Sequence, residues 1–240
     1  MPLPQPPADF PNPFRDSTGA ALADYPRPSV AVDTAVLTLA PRANAARGAA
    51  PHRLSVLLVR RPEGVGGPQW ALPGTFLHPG ERLAGAVTRS LADKAGITGG
   101  HPTQLAVFDE PGRDERGWVL SVAHLAVIPY AALMDALLAD PDQVRLAPVS
   151  RPGPLPYDHK AIVAAATKEL KRRYADRPDP DRLLGSRFTI RELRDVHEAI
   201  AGTYVQKDTF RRAMEPQLQG TGTLSSGTVG RPSQRFRRAR

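Results

Sequence analysis

Residues Leu72 to Ile97 carry the most informative pattern in this chain, with the sequence Leu-Pro-Gly-Thr-Phe-Leu-His-Pro-Gly-Glu-Arg-Leu-Ala-Gly-Ala-Val-Thr-Arg-Ser-Leu-Ala-Asp-Lys-Ala-Gly-Ile. A loop rich in proline and glycine is followed by Leu83, Val87 and Leu91 at helical spacing, which predicts an amphipathic helix. An ordinary surface helix explains this spacing. It does not explain the other features that occur in order along the stretch, which are Leu72-Pro73-Gly74, Pro79-Gly80-Glu81, Arg89 and Ala95-Gly96-Ile97.

These features resemble the Nudix signature, Gly-x5-Glu-x7-Arg-Glu-U-x-Glu-Glu-x-Gly-U, in which U is aliphatic. The positions that match it are Glu81, Arg89, Leu91, Gly96 and Ile97. The positions that depart from it are Thr75 in place of Gly, and Ser90, Asp93 and Lys94 in place of the three helix glutamates. The resemblance implies the Nudix scaffold, but the residues that bind metal in active enzymes are largely replaced.

The replaced residues at positions 90, 93 and 94 are spaced i, i+3 and i+4, so their side chains should project from one side of a helix. This side is where an active enzyme would bind its metal. Three carboxylates there would hold Mg²⁺, which prefers several hard oxygen ligands. This chain offers a hydroxyl, one carboxylate (Asp93) and an ammonium (Lys94) that repels a cation. We therefore expect no metal site and no hydrolase activity, and we expect Glu81 to pair with Arg89 in a structural role.

Composition and charge restrict the class of protein further. The 240 residues include no cysteine, which excludes disulfides and thiolate zinc sites. No run of 18 or more apolar residues occurs, so we expect a cytoplasmic protein without a membrane partner. The net charge is +8, and residues 187–240 contribute +6 of it, with eleven Lys/Arg against five Asp/Glu. The C-terminal quarter is therefore expected to bind a polyanion.

The order of patterns predicts an α+β protein with four segments. Residues 1–28 contain eight prolines and should form a flexible leader without a fold of its own. Residues 29–156 should form a Nudix-like α/β/α sandwich with a mixed β-sheet, which would sense an effector. Residues 157–180 should form a connecting helix, with Asp158 as N-cap, and a linker. Residues 181–240 should form a winged helix-turn-helix domain.

The C-terminal segment carries the pattern helix, helix, hairpin. Thr189-Ile-Arg-Glu192 is a capping box that begins the first helix, and Gly202 ends it. A second helix is predicted from Gln206 to Leu218, followed by a glycine-punctuated hairpin with alternating basic residues. A basic second helix and a basic hairpin favour DNA binding. A helical hairpin with a solvated, Arg-rich tail is the alternative for this segment.

From about residue 30 to residue 238 the chain resembles the Nudix-related transcriptional regulator (NrtR) family. The further matching motifs are Pro111-Gly-Arg-Asp-Glu-Arg-Gly-Trp118, Tyr157-Asp-His159, Phe188 to Ile200, Phe210-Arg-Arg and Gly230-Arg-Pro. The resemblance implies a homodimeric repressor of NAD-metabolism genes that senses ADP-ribose or a related NAD-derived nucleotide and requires no cofactor. A two-fold dimer would bind a palindromic operator in double-stranded DNA.

Candidate site residues follow from this resemblance and from the chemistry of the ligands. An ADP-ribose effector needs an aromatic or apolar slot for adenine and cations for the pyrophosphate; the candidates are Arg60, Trp70, Phe108, Arg113 and Arg116. The DNA-contact candidates are Lys207, Thr209, Arg211, Arg212, Arg231 and Arg235. The histidines His78, His124 and His159 lack matching metal partners in the sequence, so we expect structural roles for them.

The residues also permit two other functions. The chain could be an active Nudix pyrophosphatase that hydrolyses ADP-ribose, with a metal held by Glu81, Asp93 and either Asp109 or Glu110. It could also be a nucleotide-binding module whose basic tail holds RNA or another protein.

Overall fold

A computed structural model describes residues 15–42, 50–62, 67–225 and 232–239. The first part of the chain contains β1 (Ser29–Pro41), β2 (His52–Arg60), β3 (Trp70–Ala71), β4 (Gly74–Phe76), α1 (Leu83–Ala95), β5 (Thr103–Phe108), β6 (Val119–Val127), α2 (Tyr130–Ala139), β7 (Val144–Pro148) and α3 (His159–Arg173). The second part contains β8 (Phe188–Thr189), α4 (Ile190–Ala201), α5 (Lys207–Met214), β9 (Leu218–Leu224) and β10 (Gln234–Arg238).

The long strand β1 organises a mixed sheet of seven strands within the described chain. It pairs in parallel with β6 and antiparallel with β2 and β4, and the central order is β3-β2-β1-β6-β5. Ten consecutive residues of β1 are buried because the strand has neighbours on both edges and helices on both faces.

Different helices cover the two faces of this sheet, because successive side chains of a strand point to opposite sides. On one face, Val32 and Val36 of β1 pack against α1 and α2. On the other face, Ala35, Leu37 and Leu39 pack against α3. The α/β/α sandwich expected from the sequence is therefore confirmed.

Helix α3 packs along the second face through a stripe of every fourth residue, Ile162, Ala166 and Leu170, which Tyr174 continues just beyond its end. Val196 and Ile200 of α4 are buried in the same apolar cluster, although α4 belongs to the C-terminal part. The sheet, α3 and α4 therefore share one continuous core. We call this cluster the shared core.

The C-terminal part is the expected winged helix. Its own small core consists of five apolar side chains, Phe188, Leu193, Phe210, Met214 and Phe236. The strands β8, β10 and β9 form a three-stranded antiparallel sheet beside α4 and α5. Thr189 caps α4 as predicted: its hydroxyl accepts a hydrogen bond from Glu192 N, and Glu192 in turn accepts one from Thr189 N.

The second predicted helix is shorter than expected. We predicted it from Gln206 to Leu218, but α5 ends at Met214 and a 3-10 turn occupies Glu215–Gln217. The physical reason is Pro216, which has no N–H to continue the helical hydrogen bonds and whose ring obstructs the preceding turn. Leu218 consequently begins β9.

The segment between α3 and β8 is not a free linker, because it is anchored by the buried carboxylate of Asp179. This side chain is 0% exposed and accepts hydrogen bonds from Tyr174 Oη (2.8 Å), Leu183 N (2.8 Å) and Leu184 N (2.9 Å). Arg238 of β10 pairs with the same carboxylate and donates to the Leu184 carbonyl at 2.6 Å. A buried carboxylate needs such donors to offset its lost hydration.

The described part of the leader, residues 15–28, contains a turn and a 3-10 helix at Leu22–Asp24, and none of its residues is buried. The remainder of the leader lies outside the described residues. No helix among the described residues has the length and apolar character needed to span a membrane.

We expect Asp179→Asn to lower the free energy of unfolding by about 3 kcal/mol, because breaking a buried, hydrogen-bonded ion pair costs about that much. Urea denaturation followed by circular dichroism measures this change. Asp176→Asn is the matched control, since the Asp176 side chain is exposed and only its backbone carbonyl accepts a hydrogen bond. Equal stabilities for the two variants would contradict the role assigned to Asp179.

Candidate functional site

A cavity of about 910 Å³ lies at the end of the sheet where the loop before α1 meets the loop before β6. Ligand pockets in proteins commonly have volumes of roughly 300–1,000 Å³, so a nucleotide fits. Five cationic residues are among its lining: Arg60, Arg61, Lys94, Arg113 and Arg116. The structure thus brings together Arg60, Arg113 and Arg116, the three arginines that were predicted from the sequence to bind the effector.

The loop that borders this cavity is held on α1 by one ion pair. Arg89 Nε and Nη2 donate to the two carboxylate oxygens of Glu81 at 3.0 and 2.9 Å. The same guanidinium donates to Thr75 Oγ1 at 3.1 Å and to the Phe76 carbonyl at 3.0 Å. Hydrogen bonds from Arg89 and from the backbone lower the pKa of Glu81 to about 2. This is the structural pairing expected from the sequence.

The three positions that carry metal ligands in the Nudix signature do not share one environment. Asp93 and Lys94 line the cavity, and the Lys94 ammonium donates to the carbonyl oxygen of Gly74. Ser90 is buried, and its hydroxyl has no hydrogen-bond partner among the described residues. Our expectation that all three project together is therefore corrected. Position 90 falls on the strip of α1 that packs against the sheet, beside Val87.

This set of donors does not fit Mg²⁺, which needs several oxygen ligands around it. Asp93 is the one carboxylate at the three helix positions, and the adjacent Lys94 side chain brings an ammonium. The Glu81 carboxylate is occupied by Arg89. Asp109 and Glu110, the further ligands considered above, are not among the described residues that line the cavity.

The floor of the cavity is a buried polar network centred on Asp33 of β1. Its carboxylate accepts a hydrogen bond from Ser121 Oγ at 2.6 Å and lies 3.3 Å from His159 Nε2 and 3.5 Å from Arg113 Nη2. Burial alone would raise the pKa of Asp33, but these partners outweigh it and hold the pKa below its usual value. Leu72 N donates to His159 Nδ1 at 3.1 Å, so we assign the ring proton to Nε2, where it faces Asp33.

Gly74 is required by this network. A Cβ atom at position 74 would lie 2.0 Å from Asp33 Oδ1 and 2.9 Å from the Val32 carbonyl, which leaves no room for any other residue. The Nudix signature has its glycine at position 75, where this chain has threonine. The close approach of the Gly74 backbone to the Asp33 carboxylate shows that Gly74, the preceding residue, is the glycine that is sterically required.

The ion pair between Arg113 and Asp158 joins the loop before β6 to the residue that precedes α3. Arg113 Nε and Nη2 donate to the two Asp158 oxygens at 2.8 and 2.6 Å, and the Arg113 side chain is only 3% exposed. We expected the Asp158 side chain to cap α3. It occupies the N-cap position but makes no capping hydrogen bond, because its carboxylate is taken up by Arg113. Arg113 therefore positions α3 and has little surface left for a ligand.

The aromatic residues of the cavity differ from those expected. Trp70 and Phe108 are absent from the described lining and pack against the shared core, with the Arg145 guanidinium 4.1 Å from the Trp70 ring centroid. Phe76 and Tyr157 line the cavity instead. The difference arises because the side chains of Trp70 and Phe108 lie on the face of the sheet that α3 covers.

Arg116 lies between the two cavity aromatics. Its guanidinium carbon is 5.2 Å from the ring centroid of Phe76 and 5.1 Å from that of Tyr157. Its charge is matched by the buried Asp114, at 2.6 Å, while the side chain stays half exposed. A stacked arginine of this kind offers a planar cationic surface beside two aromatic rings.

The histidines have different surroundings. His159 lines the cavity and belongs to the polar network, a role beyond the plain structural one expected. His124 is buried, its Nδ1 lies 2.9 Å from the Val122 carbonyl, and burial lowers its pKa. His78 donates its backbone N–H to Glu81 at 3.0 Å.

The winged helix presents α5 as its basic surface. Phe210 and Met214 are buried, whereas the DNA-contact candidates Lys207, Thr209, Arg211 and Arg212 are all exposed. Arg211 forms an ion pair with Glu215 at 2.5 Å. Among the described residues, Lys207 and Arg212 have no side-chain hydrogen bond or ion pair, so their charges are available to a partner.

The remaining two DNA-contact candidates, Arg231 and Arg235, belong to the predicted wing. Arg235 in β10 is half-buried, and its Nε has no hydrogen-bond partner among the described residues. Arg231 lies outside the described residues. Arg238, which was not among the candidates from the sequence, pairs with Asp179 and so joins the wing strands to the segment between α3 and β8.

Comparison with known proteins agrees with this architecture. Residues 41–171 match the NUDIX domain family, and residues 181–237 match the NrtR DNA-binding winged helix domain. The chain is 29% identical over 220 residues to the ADPR responsive transcriptional repressor NtrR of Acinetobacter baylyi, covering 90% of this chain and 84% of that protein. It is 33% identical over 70 residues to an ADP-ribose pyrophosphatase of Methanocaldococcus jannaschii, covering 29% of this chain and 41% of that protein.

A solved structure supports the same arrangement of both parts. The crystal structure of Shewanella oneidensis NrtR complexed with a 27mer DNA has a TM-score of 0.68 to this chain at 28% sequence identity, covering 88% of this chain and 93% of that one. The family match spans more than half of the sequence. The chain therefore belongs to the Nudix family and carries an NrtR-type DNA-binding winged helix at its C-terminal end.

Proposed function

We propose that this protein is an ADP-ribose-responsive, DNA-binding repressor of NAD-metabolism genes whose Nudix domain senses the nucleotide without hydrolysing it. The observation that carries the proposal is the shared core, in which α4 of the winged helix packs against α3 and the Nudix sheet. A ligand in the cavity can therefore act on the DNA-binding part through packed side chains. The similarity to the A. baylyi repressor supports the choice of ADP-ribose.

The cavity offers what an ADP-ribose needs. Phe76 is 38% exposed and Tyr157 lies nearby, so adenine can stack on an open ring face beside Arg116. Arg60 and Arg116 line the same space and can face the pyrophosphate. The role of Arg113 is to position α3, since Asp158 and Asp33 already match its charge.

Loss of hydrolysis follows from the donors around α1. Nudix chemistry requires a metal to polarise the pyrophosphate and activate water. Here one ammonium (Lys94) and one carboxylate (Asp93) face the cavity from α1, while Ser90 is buried. The cavity keeps its loop and helix as a frame because Glu81 and Arg89 hold them together without a metal.

Helix α3 connects the cavity to the winged helix. His159 at its first turn lines the cavity, and its 15 residues span about 22 Å. At the other end, Lys171 donates to the Ala201 carbonyl of α4 at 3.0 Å, and the Tyr174 ring lies 5.2 Å from that of His197. A ligand that binds one placement of α3 more tightly than another would shift the winged helix.

The oligomeric state is part of the proposal. Helix-turn-helix repressors commonly bind as two-fold dimers to palindromic operators, in which two recognition helices occupy half-sites one helical turn apart. We infer the same arrangement here, with α5 as the recognition helix of each protomer.

The effector site is tested with Phe76→Ala. We expect the variant to bind ADP-ribose at least about tenfold more weakly, because stacking of a base on an aromatic ring contributes about 1–3 kcal/mol. Isothermal titration calorimetry measures the affinity. Trp118→Ala is the control, since Trp118 is an exposed aromatic residue that does not line the cavity. Equal affinities for wild type and Phe76→Ala would place the effector elsewhere.

The hydrolase alternative is tested by incubating the protein with ADP-ribose and Mg²⁺ or Mn²⁺. We expect no release of AMP and ribose 5-phosphate above the level seen with Asp93→Ala, because the metal ligands are lacking. Phosphorus NMR follows substrate and products together, and an active Nudix pyrophosphatase serves as the positive control. Turnover by the wild type that disappears in Asp93→Ala would establish the enzyme instead.

The DNA interface is tested by anisotropy titrations on a duplex from upstream of an NAD-biosynthesis operon. We expect the pair Lys207→Ala and Arg212→Ala to raise the Kd at least about tenfold, because each good phosphate or base contact contributes about 1–3 kcal/mol. Arg172→Ala is the control; it removes an exposed charge from α3, far from α5 in the sequence.

The same titrations test the response and the symmetry. ADP-ribose should change the operator affinity of the wild type, and scrambling one half-site should weaken binding of the dimer. Weak, sequence-independent binding that ADP-ribose leaves unchanged would contradict a ligand-responsive repressor. Unchanged operator binding by the α5 variants would indicate that the basic end binds another partner.

A further inference from the structure

A second concave surface lies where the two parts of the chain meet. It encloses about 1050 Å³ and is bordered by the start of β2, the segment after β7, the outer side of α3 and the turn between α4 and α5. We call it the junction groove. It is separate from the effector cavity, with which it shares no described lining residue.

The junction groove is strongly basic. Its lining includes five exposed cations, Arg42, Arg53, Arg151, Lys168 and Lys171. Glu198 is the single carboxylate among its described lining residues, and it is buried. Glu198 Oε1 accepts a hydrogen bond from Val205 N at 3.1 Å and lies 3.4 Å from Arg194 Nε, so its charge is already engaged. Five like charges on one concave surface attract anions and favour a polyanionic partner.

The groove is continuous with the surface proposed to hold DNA. Gly202, Thr203 and Tyr204 line it, and these residues form the turn that leads directly to Lys207 at the start of α5. Tyr204 is 68% exposed, which leaves its hydroxyl open to a phosphate. A duplex that receives α5 in its major groove passes this turn, because the residues around the start of a recognition helix lie next to the DNA backbone.

We propose that the junction groove is a second DNA-contact surface, through which the Nudix domain itself binds backbone phosphates that flank the bases contacted by α5. The inference rests on the proposed DNA-binding function. Arg53 belongs to β2, Arg151 follows β7 and Lys168 belongs to α3, so the contacts come from the sensing domain. Movement of α3 on effector binding would then displace phosphate contacts and the recognition helix together.

The experiment compares salt dependence of operator binding for three full-length proteins. The groove variant carries Arg53→Ala, Arg151→Ala and Lys168→Ala; these side chains are exposed, and none forms a hydrogen bond or ion pair among the described residues. The charge-matched control carries Arg27→Ala, Arg82→Ala and Arg172→Ala, which are also exposed and lie outside the groove. The third protein is the wild type. Circular dichroism and thermal melting confirm that each variant is folded.

We expect the groove variant to bind the operator at least about tenfold more weakly near 0.1 M salt. The slope of log K against log salt should fall in magnitude by about 0.9 for each phosphate that the protein no longer neutralises. The charge-matched control should keep the slope of the wild type. Restoring the charges with Arg53→Lys, Arg151→Lys and Lys168→Arg should restore most of the slope.

Other results would overturn the inference. A groove variant with the affinity and slope of the wild type, in a protein that still needs Lys207 and Arg212, would leave the repressor intact and exclude the groove as a DNA surface. Binding of inorganic tripolyphosphate that is abolished in the groove variant, with operator binding unchanged, would assign the groove to a small anion instead. Failure of the wild type to bind any duplex would overturn both proposals.

Discussion

Helix α3 buries Ile162, Ala166 and Leu170 against the Nudix sheet. This packing fixes the position of the winged helix relative to the cavity. The sheet face that α3 covers is also the face into which α4 inserts Val196 and Ile200. Removing α3 from the sheet would therefore expose apolar surface of both parts at once. Each Å² exposed would cost roughly 25 cal/mol of stabilising free energy. The effector cavity at one end of α3 and the winged helix at the other depend on this packing.

The Nudix frame survives the change of its metal-binding residues because other interactions hold it. Arg89 binds both oxygens of Glu81 and also the loop backbone, and Asp33 joins β1 to His159 and Ser121. None of these bonds needs a divalent cation. The replaced helix glutamates therefore change the chemical groups beside the cavity, while the cavity keeps a volume of about 910 Å³.

Two cations of the cavity are paired with carboxylates, whereas most of the described cations on α5 and in the junction groove are not. Inside the effector cavity, Arg113 and Arg116 are matched by Asp158, Asp33 and Asp114, so their positions are defined before a ligand arrives. On α5 and in the junction groove, most cations lack such partners among the described residues, so these surfaces favour a polyanionic partner. The cavity with paired charges and the surface with unpaired cations thus lie at opposite ends of α3, as the two proposals require.

Several elements and local contacts could be predicted because their residues lie close together along the chain. The capping box at Thr189, the four-residue stripe of α3 and the exposed basic face of α5 follow from spacing along a helix. The pairing of Glu81 with Arg89 followed from the resemblance to the Nudix signature. The early end of α5 could also have been predicted from the sequence, because Pro216 interrupts the helix.

Three features depend on the tertiary structure. These are the aromatic rings that reach the cavity, the binding of Asp158 to Arg113 instead of capping α3, and the anchoring of the predicted linker by Asp179. These outcomes depend on strand register and on partners far apart in the chain, such as Asp33 and Ser121, which are separated by 88 residues. A shift of one residue in a strand would exchange the faces of its side chains, so local pattern cannot specify them.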